Sequence, residues 1–126
     1  MGTYEMYPSA SKKEEFHKKA RKSLREVAKQ FGLEKGQYDL RTNKAGIAVF
    51  GETTLHTERL YIQVGGSLPT ILYRLCDGRK DYASLKYQNN FLPIDTLNNP
   101  AEIAAAARIL LDRQNGWIGK RRGRLG

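Results

Sequence analysis

Residues 60–64 read Leu60-Tyr61-Ile62-Gln63-Val64, and residues 71–76 read Ile71-Leu72-Tyr73-Arg74-Leu75-Cys76. In the first stretch Leu60, Ile62 and Val64 alternate with Tyr61 and Gln63, the two-residue period of a strand with one face in a core and one in water. Gly65-Gly66-Ser67-Leu68-Pro69 breaks the chain between the two, and Asp77-Gly78 closes the second with a tight-turn dipeptide. Upstream, the period of two begins at Tyr38, and Ile47 and Val49 alternate with Ala48 and Phe50. Gly51-Glu52 then offers a turn, from which Thr53-Thr54-Leu55-His56 returns antiparallel. Short strands in this succession predict an antiparallel meander of four to five strands.

Helical periods flank the meander. Phe16, Ala20, Leu24, Val27, Ala28 and Phe31 form one apolar stripe of a 3.6-residue period. Ser11 and Glu14 are spaced as a capping box, which predicts that the helix starts there. Gly32, followed by Leu33, is placed for a Schellman stop. A last helix opens at Asn99-Pro100, an N-cap with proline at the first helical position. It is expected to bury Ile103, Ala106, Ala107, Leu110 and Leu111 on the sheet and to end at Gly116. The fold class is therefore α+β: an N-terminal amphipathic helix, the meander, and a C-terminal helix packed on the sheet. Residues 1–118 are read as one domain and residues 119–126 as a basic C-terminal tail.

The 126 residues carry a net charge of +9. Residues 12–31 hold eight Lys or Arg against three Glu, and residues 119–126 add Lys120, Arg121, Arg122 and Arg124. Elsewhere ten positive side chains meet ten negative ones. The surplus sits on one helix and one tail, as a polyanion-binding protein would place it; a solvated helix face and a solubilising tail would give the same pattern. Lys18, Lys22, Arg25 and Lys29 lie opposite the apolar stripe and are the helix's candidate contacts to DNA or RNA.

Catalytic and metal chemistry is thinly supplied. Cys76 is the only cysteine and closes an apolar strand, which makes it a small core residue. One cysteine and two histidines cannot form a four-ligand zinc site, and no carboxylate cluster suggests a divalent cation. His56 has no spaced partner that would make it a general base. The expectation is a protein that is not an enzyme and needs no cofactor or metal. The longest apolar run, residues 103–107, is far short of the roughly 20 residues of a membrane span, so no membrane is expected and the cytoplasm is the compartment.

Binding chemistry gathers in residues 79–95, which show neither period. Arg79 and Lys80 follow the tight turn, Tyr82 and Phe91 bring rings, and Asn90 brings an amide; Arg108 and Arg113 on the last helix add charge. Cation for phosphate, ring for stacking and amide for a base edge are the parts of a nucleotide site. These seven residues are the candidate ligand set, although an exposed turn and core-anchoring rings would read the same.

A pattern across residues 38–97 bears on that choice: Asp39-Leu40-Arg41, Asn43-Lys44-Ala45-Gly46-Ile47-Ala48-Val49, Gly51-Glu52, Thr54-Leu55-His56, Leu60-Tyr61-Ile62-Gln63-Val64, Gly78-Arg79-Lys80-Asp81-Tyr82 and Asn89-Asn90-Phe91. It resembles small proteins of phages and mobile elements, and among these the anti-Thoeris sponge proteins, which sequester cyclic ADP-ribose-type immune signals without cleaving them. The resemblance implies a homo-oligomer in a bacterial host, with Arg79, Tyr82, Phe91, Arg108 and Arg113 clasping a small anionic nucleotide. The rival expectation is a sequence-tolerant nucleic-acid-binding protein using the basic helix and tail. A third is an adaptor docking on an acidic protein surface.

Overall fold

Helix α1 spans Ala10–Gln30, and the apolar stripe does what its period requires. Ala20, Leu24, Val27 and Ala28 have no exposed surface, and Phe16 and Phe31 pack at the margins of the same cluster. The helix stops as predicted. Gly32 takes φ 74°, its N–H donates to the Lys29 carbonyl at 2.9 Å, and the Leu33 N–H donates to the Ala28 carbonyl at 3.0 Å. Those two bonds define a Schellman motif. The start differs. Ala10 is already helical, so Ser11 lies in the first turn with helical backbone and not at the extended N-cap a capping box needs. Alanine, the strongest helix former, carries the helix one residue further back.

The computed structural model describes residues 10–43, 51–65, 70–81 and 86–125, with 10, 11, 13 and 114–125 described as backbone only. Five strands follow α1: β1 Asp39–Asn43, β2 Glu52–His56, β3 Leu60–Gly65, β4 Thr70–Leu75 and β5 Asn90–Pro93. Each pairs antiparallel with the next in the order β1-β2-β3-β4-β5, a plain meander. The strand expected around Ile47–Val49 lies outside the described residues; the strand that precedes β2 and pairs with it is Asp39–Asn43. Residues 79–95, read as one loop, contain β5. Four residues ending in Pro93 are too short to show a period, and proline is tolerated because among the described residues β5 pairs on one side only.

Register divides the sheet into two faces. Leu60, Ile62 and Val64 of β3 stand opposite Leu75, Tyr73 and Ile71 of β4. With Leu55 of β2 they make the face covered by the helices, where Leu55, Ile62, Val64 and Ile71 are fully buried. α1 lies against β1 and β2, and α2 (Pro100–Leu125) lies against β4 and against α1. Two helices over one face of a sheet give the α+β architecture the sequence predicts.

A polar seam runs through this interface. His17 of α1, itself buried, shares a 2.7 Å hydrogen bond with Thr53 of β2, whose hydroxyl meets that of Thr42 of β1 at 3.2 Å. Arg21 then donates to the Thr42 hydroxyl at 3.0 Å. Every member of the chain has a partner, which is the condition for burying polar groups without penalty.

α2 begins at Pro100 as predicted, with the Asn99 carbonyl accepting from the Glu102 N–H at 2.9 Å. Ile103, Ala104 and Ala107 are its buried residues; Ala106, Leu110 and Leu111 are half-buried. Gly116 does not end it. The helix continues to Leu125, so the segment read as a tail is helical through that residue. A glycine inside a helix costs about 1 kcal/mol without forbidding it, and α2 carries Gly116, Gly119 and Gly123 within its span.

A Cβ at residue 32 would meet nothing within 4 Å, so the cost of replacing Gly32 is purely conformational. Gly32→Ala is expected to lower stability by about 1 kcal/mol through the left-handed backbone alone. Urea unfolding measures it, and an unchanged midpoint would contradict the cap assignment.

Candidate functional site

The chain leaving β4 is pinned back onto the turn between β2 and β3. The Cys76 N–H donates to the Arg59 carbonyl at 2.9 Å, and the Cys76 thiol to the Thr57 carbonyl at 3.3 Å. Burial pushes that thiol up, away from the reactive thiolate, in keeping with a core residue. Gly78 at φ 123° then redirects the backbone, and Arg79 reaches β1. Its Nε and Nη2 donate to the two carboxylate oxygens of Asp39 at 3.2 and 3.0 Å, and its Nη1 donates to the Gly36 carbonyl at 2.9 Å. The Arg79 hydrogen bond is the leading cause holding the Asp39 carboxyl below the usual carboxylate range. Most of the guanidinium's donors are therefore used within the protein, in the bidentate geometry that arginine favours.

Beside this clasp lies a hollow of about 550 Å³, within the range of small-molecule sites. Leu55, Leu60, Leu111 and Leu33 give it apolar walls; Arg59, Arg79, Arg108, Glu58 and Asp112 bring charge. Phe31 is the aromatic element, set there because the helix stops at Gly32. The Arg108 guanidinium carbon sits 4.7 Å from the centre of the Phe31 ring, and its Nη2 donates to the Gln30 carbonyl at the end of α1 at 3.2 Å. A cation at a helix C-terminus and over a ring is favoured twice. The exposed Arg59 side chain makes no hydrogen bond among the described residues.

Of the sequence-predicted ligand residues, Arg79 and Arg108 meet in this hollow. Lys80 is exposed on the turn beside Arg79, and Arg113 is exposed on α2 outside the hollow's lining. Tyr82 lies outside the described residues. Asn90 spends its amide on the backbone carbonyls of Gln88 at 3.1 Å and Tyr73 at 3.4 Å. Phe91 stands on β5 opposite Leu72, 56% exposed. Arg79 is fastened to β1 and Phe91 to β5, the two opposite edges of the sheet. The expected pairing of Arg79 with Phe91 therefore does not form, because β5 separates what was read as one loop. Phe31 and Arg59, absent from the predicted set, are a ring and a further cation in the hollow's lining. Their signals were faint: an aromatic just before a helix-stop glycine and an arginine in a two-strand turn.

The other face of the sheet carries a second, wholly polar hollow of about 530 Å³ bounded by Arg41, Glu52, Thr54, His56, Tyr61 and Gln63. Thr54 and His56 share a 2.8 Å hydrogen bond, the Tyr61 hydroxyl donates to Gln63 at 2.8 Å, and the Arg74 guanidinium lies 4.5 Å from the Tyr61 ring centre. Arg74 is 3% exposed and donates to the carbonyls of Leu75 and Asp81 at 3.1 and 3.0 Å. Burial, and after it the positive charge of Arg41, pushes the His56 imidazole below its ordinary range. Among the described residues no three His, Cys, Asp or Glu side chains are grouped to hold a metal ion, and no helix is long and apolar enough to cross a membrane. Lys18, Lys22, Arg25 and Lys29 are exposed on α1; Lys120, Arg121, Arg122 and Arg124 lie on the helical C-terminal part of α2.

The lowered His56 fixes a pH dependence. The unfolded chain takes up a proton near pH 6.5 while the folded one does not, so stability is complete above that pH and falls as pH drops through it, levelling once the folded imidazole is protonated. Urea midpoints at pH 7.5 and 5 should show this loss, and His56→Gln should flatten it; an equal slope in the variant would assign the loss to other groups.

No protein-family model matches the chain, nor does any curated protein or solved structure.

Proposed function

We propose that the protein binds a small nucleotide in the hollow between the end of α1, the β2–β3 turn and α2, and releases it unchanged. The observation that carries this reading is the Arg108 guanidinium held over the Phe31 ring, the two lining with Arg59 one hollow with apolar walls. A guanidinium already held over a ring can offer its other side to a base, and its unused N–H groups and Arg59 can take phosphate. Glu58 and Asp112 supply acceptors for hydroxyl or amino groups. Arg79, clasped to Asp39, holds the wall and contributes little free charge.

The binding-only part of the reading rests on the lining. Neither histidine nor cysteine is among its described residues, and its one hydroxyl, Thr57, donates to the Leu60 carbonyl at 3.0 Å and accepts from the Leu60 N–H at 2.8 Å. A nucleophile with a neighbouring base is the minimum for covalent catalysis. The resemblance of residues 38–97 to sponge proteins adds a narrower expectation: a homo-oligomer of phage origin sequestering a cyclic nucleotide immune signal in a bacterial cytoplasm.

Calorimetric titration with linear mononucleotides, cyclic mononucleotides and cyclic dinucleotides tests both levels. Arg108→Ala and Arg59→Ala should each weaken the bound class at least tenfold, while Phe91→Ala leaves it unchanged. Loss in Phe91→Ala with full binding in Arg108→Ala would move the site to β5. Absence of binding by all three classes would end the nucleotide reading.

A further inference from the structure

The exposed face of α1 is a second, separate surface, and we infer that it docks the phosphate backbone of duplex nucleic acid without reading its bases. Lys18, Lys22, Arg25 and Lys29 recur at steps of four, three and four residues and are all exposed, so they form one row along the helix. At a rise of about 1.5 Å per residue the row is roughly 16 Å long. None of the four has a hydrogen bond or ion pair among the described residues. Arg21, by contrast, is spent on Thr42 and the Leu40 carbonyl and takes no part.

What this face lacks selects the partner. The apolar residues of α1 are committed to the core: Ala20, Leu24, Val27 and Ala28 are fully buried, and Phe16 packs against the same cluster. A helix lying in a membrane interface needs an apolar face to insert, and this one has none to spare. A stable protein interface needs an apolar or aromatic centre, equally missing. Binding a single strand relies on rings for base stacking, and none is exposed along the row. Duplex phosphates ask only for cations in line, with affinity coming from release of condensed counterions.

The test uses two labelled duplexes of unrelated sequence and the full chain, with fluorescence anisotropy across a salt series. Lys22→Gln/Arg25→Gln is compared with Lys35→Gln/Lys80→Gln, which removes the same charge from exposed positions elsewhere. The first pair should lose at least tenfold in affinity for both duplexes and flatten the log-log salt slope by about 1.8, at roughly 0.9 per lost contact. The control pair should keep the wild-type slope, and circular dichroism should be the same for all three proteins. Equal losses in the two variants would show a response to net charge and overturn the surface. So would tighter binding to a single strand or to vesicles of anionic lipid, or no duplex binding by the wild type. None of these readouts depends on the hollow, so failure here leaves the calorimetric result standing.

Discussion

Burial of Ile62 beneath the two helices is the constraint from which the remaining geometry descends. β3 is the central strand of five, and its alternation has to satisfy a dry face and a polar one at once. Because a strand's side chains alternate strictly, a slip of one residue would carry Ile62 to the polar face and put Tyr61 and Gln63 into the core. Fixing β3 fixes the antiparallel pairing of β2 and β4 on its two sides. The turn of Thr57 and Arg59 and the chain leaving Cys76 meet at one end of the sheet for that reason, and the hollow forms where they meet the end of α1.

The seam of His17, Thr53, Thr42 and Arg21 reinforces the same choice from the helix side. Hydrophobic contacts between α1 and the sheet would tolerate a shifted helix. An imidazole that needs one particular hydroxyl would not, since displacement leaves buried donors without acceptors. Affinity between the layers comes from leucine, valine and isoleucine; their relative position is set by this short polar chain.

Much of this was legible in the residues, and what was not has physical causes. The stop of α1 at Gly32 and strands β2 to β4 follow from chemistry confined to a few neighbouring residues. β5 was hidden because four residues cannot display a period, and its pairing is supplied by β4 across a long sequence gap. The end of α2 was misread because glycine weakens a helix without forbidding it. The site was half visible. Arg79 and Arg108 were identified as cations, but sequence does not say whether a cation's donors are already taken, and Asp39 lies forty positions away from the arginine that uses them. Phe91 was conspicuous and Phe31 was not, although the second is the ring beside those arginines.

The clasp between Arg79 and Asp39 also bears on the first edge of the sheet. Among the described residues β1 pairs on one side only, and an open strand edge invites another chain to add to it. Edges are most vulnerable while they fray. A guanidinium gripping both oxygens at the first residue of β1 ties that end to the segment after β4, so that peeling the edge away also means breaking a tether rooted three strands away. The perimeter of the sheet is thereby tied to one of its interior strands.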